Sequence, residues 1–417
     1  MKPFVFEETS EGEIRFMKVL FVNSGLSRDA DAPVMTTLRA QGMAEAGLDV
    51  VVMGYPEAMF PGAGQAGFQY ISVLGRQNSL MKRLLRGLAR LTGRLWPFIL
   101  EPIIVESLSM GYARRLGCDV IFVASAEPWI ILLVRFFRFG KAGRIPAVVR
   151  AANVYKRIPG PLGSRVRSWL NEFAIRHLPC SCIVCDSLHM YRAMDIGDSE
   201  YCIIPDGYSL SWKTGERGAA RKALGLPAEG RALLLFGCAS LAKGFDLLLE
   251  ALEGVEPTFT VMIVGATGGV YADSWGNVDK LYDCGWRERL RVVSHRVSDD
   301  EMEMYFAACD VVALPYRSGS PTMSGNLRMA IDYGKAIIAS DQYCLGEIVR
   351  DNQLGLLFPP GDVGALRQCL LEFASKHQVW FDQISDNSRK LRELLSWPEM
   401  GKLYRDLFEK VLRNHAQ

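Results

Sequence analysis

The sequence predicts an α/β protein made of two doubly wound parallel sheets that face a central cleft. Its 417 residues leave room for two domains of about 150 to 200 residues, each able to bury its own core. Short apolar strands alternate with amphipathic helices in both halves, which is typical of parallel sheets with crossover helices. A hinge is predicted over residues 205–214, between the strands and helices of the first half and those of the second half.

The first domain is predicted over residues 17–204. Residues 1–16 contain four glutamates, whereas a secretory signal would be basic and apolar, so we expect these residues to form an N-terminal arm. Its elements begin with a strand at 17–23, a polar loop, a helix at about 34–46 and the strand LDVVVMG. A loop rich in Gly and Pro, a short strand near Tyr70, a basic helix, a helix at 103–116 and the strand DVIFVA follow, before further helix and strand pairs up to Ile204.

The second domain, 215–375, repeats this pattern from Ala232, and further helices follow over 376–417. The apolar run ALLLFG ends in a small-residue loop, after which Lys243 and Gly244 begin an amphipathic helix. Lysine is disfavoured by the dipole at a helix N-terminus, so a bound anion explains Lys243 better than a solvated surface position does. Free backbone amides next to a lysine suit a diphosphate.

A second helix start is expected at the same cleft. The strand CDVVALPY leads into a polar loop with Arg317, and the next helix begins near Ser324 and Gly325. A serine cap alone is common in structural helices, so the arginine in the same loop is what favours phosphate binding. The candidate donor-binding residues are Gly237, Lys243, Gly244, Val297, Arg317, Thr322, Met323, Ser324, Gly325 and Asn326.

Polar residues that follow strands of the first domain are candidates for the acceptor side, because the carboxyl ends of parallel strands face the ligand crevice. They are Asp29, Asp31 and Asn153, together with Glu127, which joins Lys243 and Arg317 as a candidate catalytic residue. Each acidic residue could equally be a loop charge or a helix cap. Glu127 directly precedes Pro128, a good helix-start position, so structure explains it as well as catalysis does.

Residues 180–375 resemble the nucleotide-binding domain of family 4 glycosyltransferases of the GT-B fold, whereas the first half resembles it only in pattern. The matching segments are IIPDGYSL, FGCASLAKGFDLLLEAL, VSDDEMEMYFAACDVVALPY and GKAIIASDQYCLGEIV. The resemblance implies two Rossmann-like domains, final helices that cross back to the first domain, and retaining transfer of a hexose from a nucleotide diphosphate sugar. The acceptor would be a saccharide or lipid-linked saccharide in cell-surface polysaccharide or glycolipid biosynthesis.

The chain departs from this family at two glutamates. The family's Glu-x7-Glu pair aligns with Pro321 and Met329, neither of which can accept a hydrogen bond as a carboxylate does. Asn326 and Asp332 are the nearest polar replacements, and Arg317 would supply the charge of the family's usual phosphate-loop arginine. Three alternatives stay open: an inverting route with Glu127 or Asp29 as base, a non-catalytic sugar-nucleotide-binding protein, and a sugar-nucleotide epimerase of the same fold.

Charge is distributed unevenly, although the net charge is only +2. Residues 76–94 carry six basic residues and no acid, and residues 135–176 carry ten basic residues against Glu172 alone. In the predicted helix 80–95 five leucines share an arc of about 80°, and four arginines lie outside that arc. This pattern fits either a core-packed helix with a solvated basic face or a helix that lies on anionic membrane. Neither basic segment has a nucleic-acid recognition motif.

The sequence has no uninterrupted apolar stretch of about 18 residues, so we expect no transmembrane span. Most of its ten cysteines fall in apolar strands or helices, which indicates a reduced, cytoplasmic protein. Cys180, Cys182 and Cys185 lie close together, but strand alternation places the last two on opposite faces and disfavours a tetrahedral metal site. We expect no metal, no cofactor and a peripheral position on the inner face of the membrane.

Overall fold

The computed structural model describes residues 16–23, 32–54, 67–72, 101–125, 128–136, 145–151, 162–208, 216–237, 241–265, 278–317 and 324–416. These residues form two parallel sheets with helices on their faces, which confirms the predicted α/β fold class. The first sheet has seven strands and the second has six.

The first sheet has the strand order β3-β2-β1-β4-β5-β6-β7, and each neighbouring pair is parallel. Its central strands are buried along almost their whole length, as expected where helices cover both faces. The elements are β1 Lys18–Asn23, α1 Ala32–Glu45, β2 Asp49–Gly54, β3 Gln69–Ser72, α2 Glu101–Leu116, β4 Val120–Ser125, α3 Pro128–Phe136, β5 Ala147–Arg150, α4 Leu162–Arg176, β6 Cys182–Cys185, α5 Leu188–Ala193 and β7 Tyr201–Ile203.

The second sheet has the order β10-β9-β8-β11-β12-β13 and is also parallel. The strand order reverses between β8 and β11, and ligands of open α/β sheets bind in the crevice at such a point. The elements are α6 Arg217–Ala223, β8 Ala232–Phe236, α7 Phe245–Leu252, β9 Thr260–Val264, α8 Val278–Asp283, β10 Leu290–Val293, α9 Asp299–Ala308, β11 Val311–Leu314, α10 Gly325–Asp332, β12 Ala336–Ser340, α11 Tyr343–Asp351, β13 Gly355–Phe358, α12 Val363–Ser375, α13 Gln378–Leu394 and α14 Trp397–Ala416.

Each sheet separates two apolar clusters, one on each face. The cysteines of β6 illustrate the alternation. Cys182 packs in one cluster of the first domain and Cys185 packs in the other. Their positions on opposite faces agree with the strand periodicity in the sequence.

The last helix, α14, packs against the first domain and completes the core on one face of its sheet. Trp397, Tyr404 and Phe408 are buried there against Phe21 and Phe122. Ring centroids lie 5.0 Å apart for Phe122 and Tyr404 and 5.9 Å apart for Phe122 and Phe408. The C-terminal helix is therefore part of the core of the first domain.

Two glycines let α1 and α14 touch backbone to backbone. A Cβ built on Gly401 would overlap the carbonyl oxygen of Gly42, and a Cβ built on Gly42 would overlap the carbonyl oxygen of Trp397. A side chain at either position would therefore force the two helices apart.

Four buried charges meet where the linker leaves the first domain. Arg39 of α1 pairs with Asp206 of the linker, and Arg150 at the end of β5 lies 2.6 Å from Asp186 and 3.2 Å from Asp206. Each of these side chains is at most 12% exposed. Arg39 also lies over the ring of Trp397, with its Cζ 5.4 Å from the centroid. This cluster, here called the junction network, joins α1, β5, β6, the linker and α14.

The pKa values of the two carboxyls differ because their surroundings differ. Burial raises the pKa of Asp186 to about 6, against the charge of Arg150. Burial alone would also raise the pKa of Asp206, but Arg150 and Arg39 together outweigh it and lower that pKa. Asp206 therefore stays ionised to lower pH than Asp186 does.

The part of the predicted hinge that the structure describes, 205–208, is held against the start of α14. Tyr208 donates its backbone N–H to the carbonyl of Leu395 at 2.8 Å, and Trp397 donates its own to the carbonyl of Tyr208 at 3.2 Å. Gly207 lies under the Trp397 ring, where a Cβ would be 2.6 Å from a ring carbon. The chain passes between the domains twice, at the linker 205–208 and just before α14, and these two segments thus run side by side.

We expect Gly401→Ala to destabilise the protein, because the added methyl group overlaps a backbone carbonyl and a rotamer change cannot relieve the overlap. Overpacking of this kind costs about 1 to 3 kcal/mol. Gly111→Ala is the matched control, since its built Cβ meets nothing within 4 Å in α2 and alanine gains roughly 0.5 to 1 kcal/mol over glycine in a helix. Thermal unfolding followed by circular dichroism should show opposite shifts. Equal midpoints would contradict the close helix crossing.

Candidate functional site

Three of the predicted donor-binding residues converge at the carboxyl ends of β8 and β11, where the strand order reverses. Gly237 follows β8, and a Cβ built on it would lie 2.8 Å from Lys243 Nζ and 3.3 Å from Asn326 Nδ2. An ammonium group and a side-chain amide therefore lie close to the backbone of Gly237. Its φ of +117° is a conformation that other residues rarely adopt.

Lys243 ends a short 3-10 turn, Leu241–Lys243, and Gly244 caps the N-terminus of α7 with φ +66°. A Cβ on Gly244 would overlap the carbonyl oxygen of Pro315, so this loop packs directly on the segment after β11. The sequence predicted that these residues start a helix. The structure adds that the lysine side chain turns back toward Gly237.

The N-terminus of α10 is the second anion-binding element. Ser324 is its N-cap, but its hydroxyl lies 2.7 Å from the Tyr316 hydroxyl instead of capping the helix. Asn326 donates from Nδ2 to the carbonyl of Phe236 at 2.6 Å, which joins α10 to the end of β8. The first-turn amides of a helix have no intrahelical partner, so those that follow Ser324 add positive potential on the side of the helix near Gly237.

Arg317 was expected to supply a positive charge for phosphate, but in the structure its guanidinium is paired with an aspartate. Its guanidinium forms two hydrogen bonds with the carboxylate of Asp246, at 2.7 Å and 2.5 Å, and these bonds raise the pKa of Arg317. Its backbone N–H donates to the carbonyl of Ala242 at 2.9 Å. Arg317 therefore ties the loop after β11 to α7 in a neutral pair, and Lys243 is the cation nearest to Gly237 among the described candidates.

The structure corrects the expectation that Asp332 replaces a ribose-binding glutamate. Asp332 is 1% exposed, and its carboxylate lies 3.4 Å from Arg392 and 3.6 Å from Arg328. It links α10 to α13. Met329, at one of the substituted glutamate positions, is 6% exposed and packs in the core. Neither side chain is positioned to contact a ligand in the cleft.

Gln342, a residue that the sequence did not single out, fixes the loop after β11. Its Nε2 donates to the carbonyls of Tyr316 at 2.8 Å and Arg317 at 3.0 Å, and contacts Ser340 Oγ at 3.0 Å. The residue is 9% exposed. One side chain after β12 thus sets the position of the loop that carries Arg317.

A cavity of about 300 Å³ lies between the domains, next to Gln342. On the first-domain side it is lined by His189, whose ring centroid lies 5.6 Å from that of Tyr343. Tyr343 begins α11 with a positive φ of 45°, which is uncommon for a residue with a side chain. The lining residues are His189, Asp341, Gln342, Tyr343, Arg350 and Pro360.

Of the remaining predicted residues, Gly325 is exposed at the start of α10, and Val297 is half-buried before α9. The acceptor-side candidates Asp29, Asp31, Asn153 and Glu127 lie outside the described residues, as do Pro321, Thr322, Met323 and the helix predicted over 80–95. Within the described ranges, no three His, Cys, Asp or Glu side chains form a group that could hold a metal ion.

Comparison with known proteins gives a family match in the second domain. Residues 231–376 match the family model described as Glycosyl transferases group 1. The matched range contains all three residues that converge at Gly237. The resemblance to family 4 glycosyltransferases is thus confirmed over this range.

Curated relatives match over part of their length. The D-inositol 3-phosphate glycosyltransferase of Xylanimonas cellulosilytica is 28% identical over 162 residues, which are 37% of this chain and 38% of the relative. Its counterpart from Saccharomonospora viridis is 25% identical over 232 residues, 54% of this chain and 53% of the relative. The chain therefore spans about two fifths to one half of these relatives.

Solved structures match along nearly the whole chain. A glycosyltransferase from Rickettsia africae has a TM-score of 0.68 at 14% identity, over 96% of this chain and 99% of that one. HepE of Anabaena in complex with UDP has a TM-score of 0.66 at 17% identity, over 94% of this chain and 100% of that one. A further HepE structure contains UDP-glucose and has a TM-score of 0.66 at 16% identity. These similarities confirm the GT-B fold.

We expect Gln342→Met to lower the free energy of unfolding. Methionine has a similar volume, but it leaves the buried carbonyls of Tyr316 and Arg317 without the amide that donates to them. An unsatisfied buried polar group costs about 1 to 3 kcal/mol. Gln383→Met, on an exposed turn of α13, is the control and should change stability little. Thermal unfolding of both variants gives the comparison, and a Gln342→Met midpoint equal to the control's would show that the amide does not hold the loop.

Proposed function

We propose that the protein is a glycosyltransferase that moves a hexose from a nucleotide diphosphate sugar to a saccharide or lipid-linked saccharide. The proposed setting is cell-surface polysaccharide or glycolipid biosynthesis. The observation that carries the proposal is the convergence of Lys243 Nζ, Asn326 Nδ2 and the α10 N-terminus on Gly237. An ammonium group, an amide and a helix N-terminus together favour a bound diphosphate.

The catalytic task in such a reaction is to stabilise the charge of the leaving group. As the bond between the anomeric carbon and the diphosphate oxygen breaks, negative charge develops on the departing nucleotide. Lys243 and the amides at the start of α10 would stabilise that charge electrostatically. Arg317 is a positioning residue in this scheme, because its pair with Asp246 fixes the loop between β11 and α10 against α7.

Retention of the anomeric configuration is the proposed outcome, and it rests on the family resemblance. The inverting alternative would require Glu127 or Asp29 as a general base. Proton NMR of the first-formed product distinguishes the two, since the anomeric coupling constant reports the configuration directly.

A non-catalytic sugar-nucleotide-binding protein is the second candidate. The observation that favours it is Met329, which is buried in the core where the family has a carboxylate. This protein would bind the donor without transferring or hydrolysing the sugar. Measurement of binding and of turnover on the same preparation therefore separates the two candidates.

The proposed site in the cell is the inner face of the cytoplasmic membrane, where a lipid-linked acceptor would be found. Among the described residues, no helix combines the length and apolar character needed to cross a bilayer. The sequence-predicted helix 80–95 is one proposed contact with anionic lipid, through Arg83, Arg86, Arg90 and Arg94.

The experiment that tests the proposed function is a panel of nucleotide sugars, scored by thermal shift and by release of free nucleotide. Uridine donors come first, because HepE, which shares the fold, has been crystallised with UDP and UDP-glucose. Binding with nucleotide release that depends on a saccharide acceptor supports the transferase. Binding without release supports the non-catalytic protein, and no binding of any donor contradicts both.

We predict that Lys243→Ala lowers transfer at least about tenfold. It removes one charge-assisted contact to the leaving group, which is worth roughly 1.5 to 3 kcal/mol. Lys222→Ala, at the exposed end of α6, removes the same charge outside the cleft and should leave transfer unchanged. Initial rates at saturating donor give the comparison. Equal rates for Lys243→Ala and the control would place the diphosphate elsewhere.

We predict that transfer needs no divalent cation, because the positive charge near Gly237 comes from Lys243 and a helix N-terminus. Activity in excess chelator should equal activity in added magnesium or manganese. Loss of transfer in chelator, with recovery on addition of manganese, would contradict this assignment of the phosphate ligands.

A further inference from the structure

Helix α4 is apolar on two opposite sides. Its inward side contributes Ala174 and Ile175 to the core of the first domain. Its outward side carries Val166, Trp169 and Phe173, each 48% exposed. A helix that packs on a core normally presents polar residues to water on its other side, so this outward face needs a separate explanation.

The outward side chains form an ordered row. The rings of Trp169 and Phe173 are stacked with centroids 6.0 Å apart, and the His177 ring lies 4.6 Å from Phe173. From Val166 to His177 the row runs about 16 Å along the helix. Trp169 is the one exposed tryptophan among the described residues.

The neighbouring helices also carry exposed apolar residues. Helix α3 packs against both α2 and α4, and it presents Leu133 at 40% exposure. Helix α2 presents Leu108 at 38% exposure. The exposed apolar residues of α4, Val166, Trp169 and Phe173, are here called the α4 face. Apolar side chains grouped in this way mark an interaction site more often than scattered ones do.

The charge around the α4 face selects among possible occupants. Arg165 is exposed beside Val166, and helix α4 carries Arg165, Arg167 and Arg176 against Glu172 alone. A second copy of the same face would meet like charge. An anionic lipid surface supplies the opposite charge, and it accepts tryptophan and phenylalanine at the boundary between headgroups and acyl chains.

We propose that the α4 face docks on an anionic membrane surface, with Trp169 and Phe173 inserted at the headgroup boundary and Arg165 near lipid phosphates. This contact is distinct from the one proposed for residues 80–95. It deepens the proposed function in one respect, since it would bring a transferase to a lipid-linked acceptor. The docking itself requires no sugar transfer.

Co-sedimentation of the full-length protein with vesicles tests this docking. Phosphatidylcholine vesicles with 30% phosphatidylglycerol are compared with pure phosphatidylcholine vesicles, at low and high salt. The double variant Trp169→Gln/Phe173→Gln should lose at least about tenfold in partition to the anionic vesicles, because two large apolar side chains no longer leave water. Arg165→Gln should weaken binding at low salt and have a smaller effect at high salt.

The matched control changes two exposed apolar residues of α13, Val379→Gln and Leu394→Gln, which are 78% and 68% exposed in the native protein. It should sediment like the wild type. Equal sedimentation of the wild type and the α4 variant overturns the proposal. So does a wild-type dimer that the α4 variant abolishes without any vesicle binding, because the face would then be an interface between copies.

Fluorescence gives a second measurement that does not depend on a double variant. Vesicles with brominated acyl chains should quench the wild type more than Trp169→Phe, since the quenched signal comes from the inserted indole. Identical quenching overturns the insertion of Trp169. Thermal shift with UDP on the same samples reports donor binding separately, so failure of the proposed transferase is distinguishable from failure of the docking.

Discussion

The junction network of two arginines and two aspartates constrains more of this structure than any other described interaction. Its four side chains are buried and formally neutral as a group, and they come from α1, β5, β6 and the linker. Removal of one partner from a buried pair leaves an uncompensated charge and typically costs about 3 to 5 kcal/mol. Since Arg39 also stacks on Trp397, the network fixes the start of α14 together with the exit of the linker. The relative position of the two sheets depends on that point.

The candidate site depends on a second constraint: the segments that follow β8, β11 and β12 contact one another directly, and these contacts fix their positions. Gly244 packs on the carbonyl of Pro315, Asn326 binds the last carbonyl of β8, and Gln342 binds two carbonyls of the next loop. The segments that surround Gly237 are thus joined mainly through backbone groups. Such a site is organised before any ligand arrives, which is what electrostatic stabilisation of a leaving group requires.

The strands, the helices and the position of the cleft were predictable, because apolar periodicity and turn residues report local structure and the sheet topology follows from it. Lys243 and the α10 start were predictable for the same reason. Side-chain partners were not: the Arg317 pair with Asp246 and the burial of Asp332 against Arg392 depend on elements that are distant in sequence. Gln342 had no local signal, since a glutamine after a strand resembles any polar loop residue. Asp206 was predicted only as part of the hinge 205–214, because nothing near it in sequence indicates its two arginines.

The placement of α14 has a consequence for the order in which the chain folds. During synthesis the first domain emerges first, yet one face of its sheet is covered by Trp397, Tyr404 and Phe408. That face stays open to solvent, or to a chaperone, until nearly the whole chain has left the ribosome. The second domain lies between the two parts of the first and can close its own core earlier. The domain that is translated first therefore matures last.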